Sequence, residues 1–107
     1  MITKLGKIYV VRDETGIKIG SSEENHVENR VDSVKRNRGT GTCELVGISK
    51  KNYINYLRVE SWCRKEATIR LDLPLPMNEW HNFKQPEKIT PELLSSIISI
   101  INSFEEQ

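Results

Sequence analysis

The chain has 107 residues, of which 36% are hydrophobic and 29% are charged, and its formal net charge is +1. This length suits a single domain with one core, and the composition excludes a disordered or a membrane-embedded chain. No apolar run approaches the roughly 20 residues that a membrane span needs, and the N-terminal residues lack the apolar stretch of a signal peptide. We therefore expect one soluble, cytoplasmic domain over residues 1–107.

The basic side chains concentrate in the middle of the chain. Residues 30–70 carry ten basic and four acidic side chains, a local net charge of +6, between flanks of −1 and −4. A locally basic segment suits a phosphate backbone, although a solvated surface of mixed charge would give the same count. Lys35, Arg36 and Arg38 are the best candidates for a patch that contacts nucleic-acid phosphates.

The cysteines and histidines show no metal-binding spacing. Cys43 and Cys63 form no CxxC pair, and His26 and His81 lie far from both in the sequence. Because the cytosol disfavours disulfides, both cysteines are expected as buried thiols. Both histidines are expected as polar groups on the surface.

A β-hairpin is expected near the N-terminus. Residues 6–12 are rich in β-branched and aromatic side chains, and a turn containing Gly16 separates them from the alternating segment at residues 17–20. One face of the hairpin would then carry four aliphatic side chains, those of Ile8, Val10, Ile17 and Ile19. Tyr9 and Lys18 would share the opposite face, in a pairing register that the turn does not fix.

A helix is expected to follow the hairpin directly. Ser21 and Glu24 have the spacing of a capping box, and the helix should end near Asn37. Three valines at i, i+4 and i+7 give it an apolar stripe, namely Val27, Val31 and Val34. Arg30 lies at the edge of this stripe.

The middle of the chain predicts a third strand at residues 42–48 and a helix at residues 52–71. The buried stripe of this helix would consist of Tyr56, Val59, Cys63 and Ala67. Glu60 lies beside that stripe, where it can face the sheet. Residues 77–83 form a loop or a short strand carrying Trp80, which we expect to fill the core rather than to stack on bases.

The last helix has a clear start. Thr90 is its expected N-cap and Pro91 its first residue, and the helix should run to about residue 105. Its broad apolar face could cover the sheet of its own chain, which we favour, or pair with a second copy in a homodimer. The elements together predict an α/β (α+β) fold, with a small central antiparallel three-stranded sheet flanked by helices.

Four short motifs, in this order, resemble those of the GIY-YIG nuclease superfamily. The first strand and Ile-Lys-Ile-Gly-Ser-Ser at residues 17–22 resemble its paired motifs, and Arg30 matches the arginine of its first helix. Glu60, in Arg-Val-Glu-Ser-Trp-Cys-Arg, matches the acidic residue of a later helix. Asn-Glu-Trp-His at residues 78–81 resembles a Gly-Glu-Trp-Phe motif. The likeness covers about residues 6–83 and is to the phage-type branch, which shares a domain type with a meiotically up-regulated fungal protein.

The resemblance implies a metal-dependent endonuclease or nicking domain of a phage or mobile element, with DNA as its partner. Glu60 would bind Mg²⁺ or Mn²⁺, and Arg30 would stabilise charge on the phosphate. Tyr9 would orient or deprotonate the attacking water. Lys18 occupies the position of the second tyrosine, where it would contact phosphate or, if buried, act as a base. These four residues are the expected catalytic set, and the implied fold is GIY-YIG-like.

The sequence also departs from the family pattern. One extra residue separates the glycine and tyrosine of the first motif, and Lys18 replaces the second tyrosine. Cys63 and Arg64 stand where branch members often carry leucine and histidine, and His81 replaces an aromatic residue. Two alternatives therefore stay open. One is a catalytically inactive GIY-YIG-like module that binds nucleic acid, and the other is a module that binds a host protein through its last helix and acidic C-terminal third.

Without the resemblance, each of the four residues has an ordinary structural explanation. Tyr9 would be a half-buried packing aromatic and Lys18 a solvated strand lysine. Arg30 would be a cation on the helix surface. Glu60 would pair with Arg64, four residues further along the same helix.

Overall fold

The structure is a computed structural model, and it describes residues 4–106. Within these residues the chain forms four strands and three α-helices. In chain order they are β1 (Gly6–Arg12), β2 (Gly16–Glu23), α1 (Val27–Arg38), β3 (Glu44–Ile48), α2 (Tyr56–Leu71), β4 (Trp80–Asn82) and α3 (Pro91–Ile101). Two single 3₁₀ turns, Glu24–His26 and Pro86–Lys88, precede α1 and α3.

The strands form one antiparallel sheet in the order β3-β1-β2-β4. The antiparallel sheet flanked by helices confirms the α+β architecture. The sheet has four strands, whereas the sequence analysis predicted three. The fourth strand, β4, pairs with β2 through Ile17 opposite His81 and Lys18 opposite Trp80. With only three residues, β4 is too short for an alternating pattern to mark it in the sequence.

Each face of the sheet has its own core. The register pairs Val10 with Ile19 and Val11 with Lys18, so the expected division of the hairpin into two faces is correct. The aliphatic face packs against α2 and α3, including Val59 and Ile97. The opposite face carries Tyr9 and Val11. It packs against Trp80 and against the three valines predicted to face the core from α1, Val27, Val31 and Val34.

The first helix begins later than the sequence predicted. Strand β2 continues through Ser21 to Glu23 because the whole of β1 pairs with it. The N–H of Glu24 then donates a further hydrogen bond to the carbonyl of Leu5. Ser21 and Glu24 therefore form no capping box, and α1 begins at Val27. It ends at Arg38, one residue beyond the prediction, where Gly39 takes a left-handed conformation with φ 71°.

The third strand and second helix are also shorter than predicted, beginning at Glu44 and Tyr56. Residues before α2 are held to the sheet instead, because Tyr53 and Gly6 exchange two backbone hydrogen bonds of 2.7 and 2.9 Å. Asn55 then caps the helix through its side chain. Tyr56 is only partly buried, whereas the other three members of the predicted stripe, Val59, Cys63 and Ala67, are fully buried.

The last helix has the predicted N-terminus, since Thr90 Oγ1 accepts a 3.1 Å hydrogen bond from the N–H of Leu93. It ends at Ile101 rather than near residue 105, because the side chains of Asn102 and Ser103 donate to carbonyls of its last turn. Its apolar face packs against α2, β1 and β3 of the same chain, as we favoured. None of the helices described in residues 4–106 has the length and apolar character needed to cross a membrane.

Candidate functional site

Tyr9 and Gly20 face each other across β1 and β2. The Tyr9 ring lies directly over Gly20, where an added Cβ would come within 2.4 Å of both the ring Cζ and the hydroxyl oxygen. Real Cβ atoms do not approach so closely, so the glycine of Lys-Ile-Gly is required by the tyrosine. The pair fixes the phenol on the α1 side of the sheet.

Arg30 approaches this phenol from α1. Burial raises the pKa of Tyr9, while the hydrogen bond and the charge of Arg30 oppose that rise. The carboxylates of Glu60 and Glu79 are close enough that their charges raise the same pKa further. The Tyr9 hydroxyl therefore lies within the electrostatic reach of one cation and two anions, each carried by a different segment of the chain.

Lys18 lies on the same face of β2 and pairs with Glu79 at a distance of 3.0 Å between Nζ and Oε2. The lysine side chain is 10% exposed and the glutamate side chain 49% exposed. The hydrogen bond from Lys18 lowers the pKa of Glu79 despite partial burial, and the charges of Lys18, Arg64 and Arg30 lower it further. Glu79 is thus ionised among several cations.

Glu60 reaches the site from α2. Its Oε1 accepts a 2.5 Å hydrogen bond from the Ser21 hydroxyl, and its Oε2 accepts one from Nη2 of Arg64. The same nitrogen of Arg64 donates to the carbonyl of Ile19 at 3.1 Å, which anchors the pair to β2. The Glu60 side chain is only 12% exposed. Its carboxylate is held in one orientation by two donors.

A polar cleft of about 370 Å³ opens beside these residues between α1 and the turn before β4. Lys18 and Arg30 lie in its wall, together with Ser33, Val34, Asn37, Arg38, Asn78 and Trp80. A larger hollow of about 590 Å³ lies near Lys7 and Lys50, but it contains none of the four expected catalytic residues. The smaller cleft thus brings together two of the four expected residues, Lys18 and Arg30, whereas Glu60 does not line it and Tyr9 is fully buried behind it rather than half-buried.

Arg38 has a structural role that the sequence did not reveal. Its Nε donates to Asp13 at 2.6 Å, its Nη2 donates to Asn82 at 2.7 Å, and its guanidinium lies 4.1 Å from the centre of the Trp80 ring. These contacts join the hairpin turn, α1 and β4. Trp80 itself is buried, which confirms that it fills the core.

The predicted phosphate patch is not formed as a unit. Arg38 lines the cleft but is already paired, while Lys35 and Arg36 do not line it. At 100° per residue, Lys35 and Arg36 project from the side of α1 away from Arg30 and Asn37. The three cations therefore do not share one side of α1, because neighbours in the sequence point to different sides of a helix.

His81 is not the surface residue that was predicted. Its pairing opposite Ile17 turns the ring into the protein, where it is fully buried with Nδ1 2.8 Å from the carbonyl of Pro74. Burial lowers the pKa of His81, although the hydrogen bond to Pro74 opposes that change. His26 is exposed, as expected.

The two cysteines also differ from each other. Cys63 is buried, and burial raises its pKa to about 12. Cys43 is only partly buried, contrary to expectation.

The acidic residues of the site can be tested against a divalent cation. No group of three or more His, Cys, Asp and Glu side chains is placed to hold a metal in the part of the chain that the structure describes. Each oxygen of the Glu60 carboxylate nevertheless has a second lone pair beyond the one used by Ser21 or Arg64. Mg²⁺ is commonly held by one or two carboxylates, with water and phosphate as its other ligands. Glu60 fits such an ion, with Arg64 as a competing cation.

Comparison with protein-family models, curated proteins and solved structures finds no match for this chain. The geometry adds three residues to the four expected ones: Ser21, Arg64 and Glu79. The spacing of Glu60 and Arg64 indicates their pairing from sequence alone. Ser21 and Glu79 lie within the motifs at residues 17–22 and 78–81, but their contacts depend on a strand extension and a tight turn that those motifs do not predict.

Proposed function

We propose that this chain is a GIY-YIG-type nuclease domain that cleaves or nicks DNA with the help of a divalent cation. The observation that carries the proposal is spatial: Arg30 lines a cationic cleft with Lys18 and hydrogen-bonds to the phenol of Tyr9 behind it. Glu60 is held against β2 nearby through Ser21 and Arg64. Tyr9, Arg30 and Glu60 belong to β1, α1 and α2, and they are far apart in sequence. Hydrolysis of a phosphodiester needs a positioned water, a route for its proton and compensation for charge on the phosphate oxygens. Tyr9 would position the water and Arg30 would compensate the charge, while a water bound to the divalent cation would release its proton to solvent.

The cations of the cleft would receive the phosphate. Arg30 is exposed on α1 and presents the forked donors that suit phosphate oxygens. Lys18 adds a second positive charge from the neighbouring strand. Arg38 contributes less, because Asp13 already neutralises it.

Tyr9 would act as a hydrogen-bonding group rather than as a base. Because burial raises its pKa above the ordinary value of 10.0, the phenol stays protonated near neutral pH. It would therefore orient the attacking water or a phosphate oxygen, with Arg30 beside it. Of the two roles that the resemblance implied for Tyr9, orienting the water or deprotonating it, we propose the first.

Glu60 would hold Mg²⁺ or Mn²⁺, which when bound would neutralise phosphate charge and lower the pKa of a coordinated water. Ser21 and Arg64 would fix the orientation of the carboxylate. Both donors come from elements that also pack the core, so the position of Glu60 is preorganised.

The proposal is tested by incubating supercoiled plasmid with the protein and Mg²⁺ or Mn²⁺. Glu60→Gln keeps the size of the side chain and removes its charge, and we expect it to lower cleavage at least about 100-fold. Glu66→Gln is the matched control, since Glu66 pairs with Arg70 at the same spacing on α2. If the plasmid stays intact with the wild-type protein, or if Glu60→Gln cleaves it equally well, the proposed nuclease function is wrong.

A second function, binding of nucleic acid without cleavage, is favoured by the pairing of Glu60 with Arg64. A carboxylate already neutralised by a guanidinium has less attraction for a metal ion. In this case the cleft would bind phosphate and no reaction would follow. The wild-type protein would bind DNA with an affinity that falls with salt, and Arg30→Gln would reduce the slope of log K against log[salt] by about 0.9. Equal binding by Glu60→Gln would support this function, and salt-independent binding would reject it.

A further inference from the structure

The turn before β4 places the Glu79 carboxylate against Lys18, which lies in the wall of the cationic cleft. Met77 and Trp80 exchange two backbone hydrogen bonds of 2.8 and 2.9 Å across Asn78 and Glu79. Both central residues have positive φ, 50° at Asn78 and 70° at Glu79, as in a type I′ turn. Such turns favour Asn-Gly and Asp-Gly, so Glu79 occupies the position that glycine usually takes.

The conformation of Glu79 is unfavourable for a residue with a Cβ. Asparagine tolerates positive φ, but glutamate has no local hydrogen bond that compensates for it. Strained residues of this kind persist where the surrounding structure holds them, and they cluster at functional sites. At Glu79 the compensating contact is the ion pair with Lys18, a residue of the cleft wall.

The carboxylates of Glu60 and Glu79 differ in how easily they can separate from their partners and enter solvent. Glu60 is 12% exposed and is held by Ser21 and Arg64. Glu79 is 49% exposed, and Lys18 is its one ion-pair partner among the described residues. Rotation of the Glu79 side chain would take its carboxylate into solvent without repacking the core.

We propose that Glu79 holds the place of a nucleic-acid phosphate beside Lys18, and that an incoming phosphate of the strand displaces it. The proposal rests on the proposed function of the cleft and identifies the residue that sets its selectivity. Carboxylate and phosphate oxygens accept the same hydrogen bonds from an ammonium or a guanidinium group. In the free protein Glu79 therefore compensates the charge of a lysine that is largely buried.

The expected selectivity is for a polyanion over a small anion. A carboxylate tethered next to Lys18 has a high effective concentration, so free phosphate competes with it poorly. A nucleic-acid strand gains additional affinity from its other phosphates and from the release of counterions. Glu79 thus favours a strand of nucleic acid over inorganic phosphate as the occupant of the cleft.

The test compares three variants in DNA binding without divalent metal, over a range of salt concentrations. Glu79→Gln removes the charge, and Glu79→Gly removes both the charge and the backbone strain. Glu87→Gln is the control, because it makes the same change in net charge at an exposed position in the 3₁₀ turn Pro86–Lys88.

We expect Glu79→Gln and Glu79→Gly to bind a short DNA duplex about fivefold more tightly than the wild-type protein. The slope of log K against log[salt] should stay as in the wild-type protein, because Lys18 neutralises the same phosphate in both once the strand is bound. Both variants should also gain measurable binding of inorganic phosphate. Glu87→Gln should behave as the wild-type protein does.

The outcomes separate this proposal from the function on which it rests. DNA binding by all variants, with Glu79→Gln no tighter than Glu87→Gln, would overturn the role of Glu79 and leave nucleic-acid binding intact. An absence of DNA binding in the wild-type protein and in both Glu79 variants would overturn the two together. Because glycine is the residue this turn prefers, Glu79→Gly should remain folded, and a loss of binding in that variant counts against the proposal.

Discussion

The phenol of Tyr9 lies so close over Gly20 that a Cβ there would be 2.4 Å from its oxygen. Gly20→Ala should therefore move the tyrosine or the strand, at a cost of about 1–3 kcal/mol in the free energy of unfolding. The cost should largely disappear when Tyr9 is also changed to leucine, because the clash is with the distal part of the ring. Urea unfolding of the two single variants and the double variant measures this coupling, and additive effects would show that the two residues do not constrain each other.

Arg38 joins three elements through Asp13, Asn82 and Trp80. Arg38→Gln leaves the buried Asp13 carboxylate without its ion-pair partner, and we expect a loss of about 3 kcal/mol in the free energy of unfolding. Lys35→Gln and Arg36→Gln, on the same helix, should change it by less than about 0.5 kcal/mol. Equal losses in all three variants would mean that Arg38 is no more than a surface cation.

Much of the fold follows from local patterns in the sequence. Alternation in the hairpin predicted which side chains share each face, and the Thr90-Pro91 pair predicted where α3 begins. These features depend on neighbouring residues alone. The end of β2 does not, because Ser21 has good helix-capping chemistry and is drawn into the strand by pairing with β1.

The site was predictable only where a residue's role depends on its position in an element. Tyr9 on a strand and Arg30 on a helix edge could be placed correctly from periodicity. His81 could not, because its burial depends on a three-residue strand that forms only in the tertiary structure. Glu79 depends on a turn in which a glutamate takes the conformation of a glycine, against its own preference.

Arg64 and Arg70 offer a matched comparison on α2, since each pairs with a glutamate four residues earlier. The Arg64 side chain is 18% exposed, and it also donates to the carbonyl of Ile19. Arg64→Leu should cost about 2–3 kcal/mol, because it leaves the Glu60 carboxylate partly buried and without its cation. Arg70→Leu removes a more exposed pair and should cost less than about 1 kcal/mol. Thermal or urea unfolding at low salt compares the two, and similar losses would contradict the anchoring role of Arg64.

The stability of the fold should decrease as pH falls below about 6.5, because His81 is buried in its neutral form. Its pKa in the folded chain lies below the ordinary value of 6.5, chiefly through burial, so the unfolded chain binds the proton more readily. The contribution of neutral His81 to the free energy of unfolding is therefore fully present above pH 6.5. It is lost progressively as the pH falls from 6.5 toward the lowered pKa of the folded chain. The ring also has no donor for Nε2 among the described residues, so protonation there would add a buried, unpartnered N–H. Urea unfolding at pH 7.5 and 5.5 should show this loss in the wild-type protein and in His26→Gln, whose histidine is exposed. His81→Phe should unfold with a smaller difference between the two pH values, and an unchanged difference in that variant would assign the pH dependence to other groups.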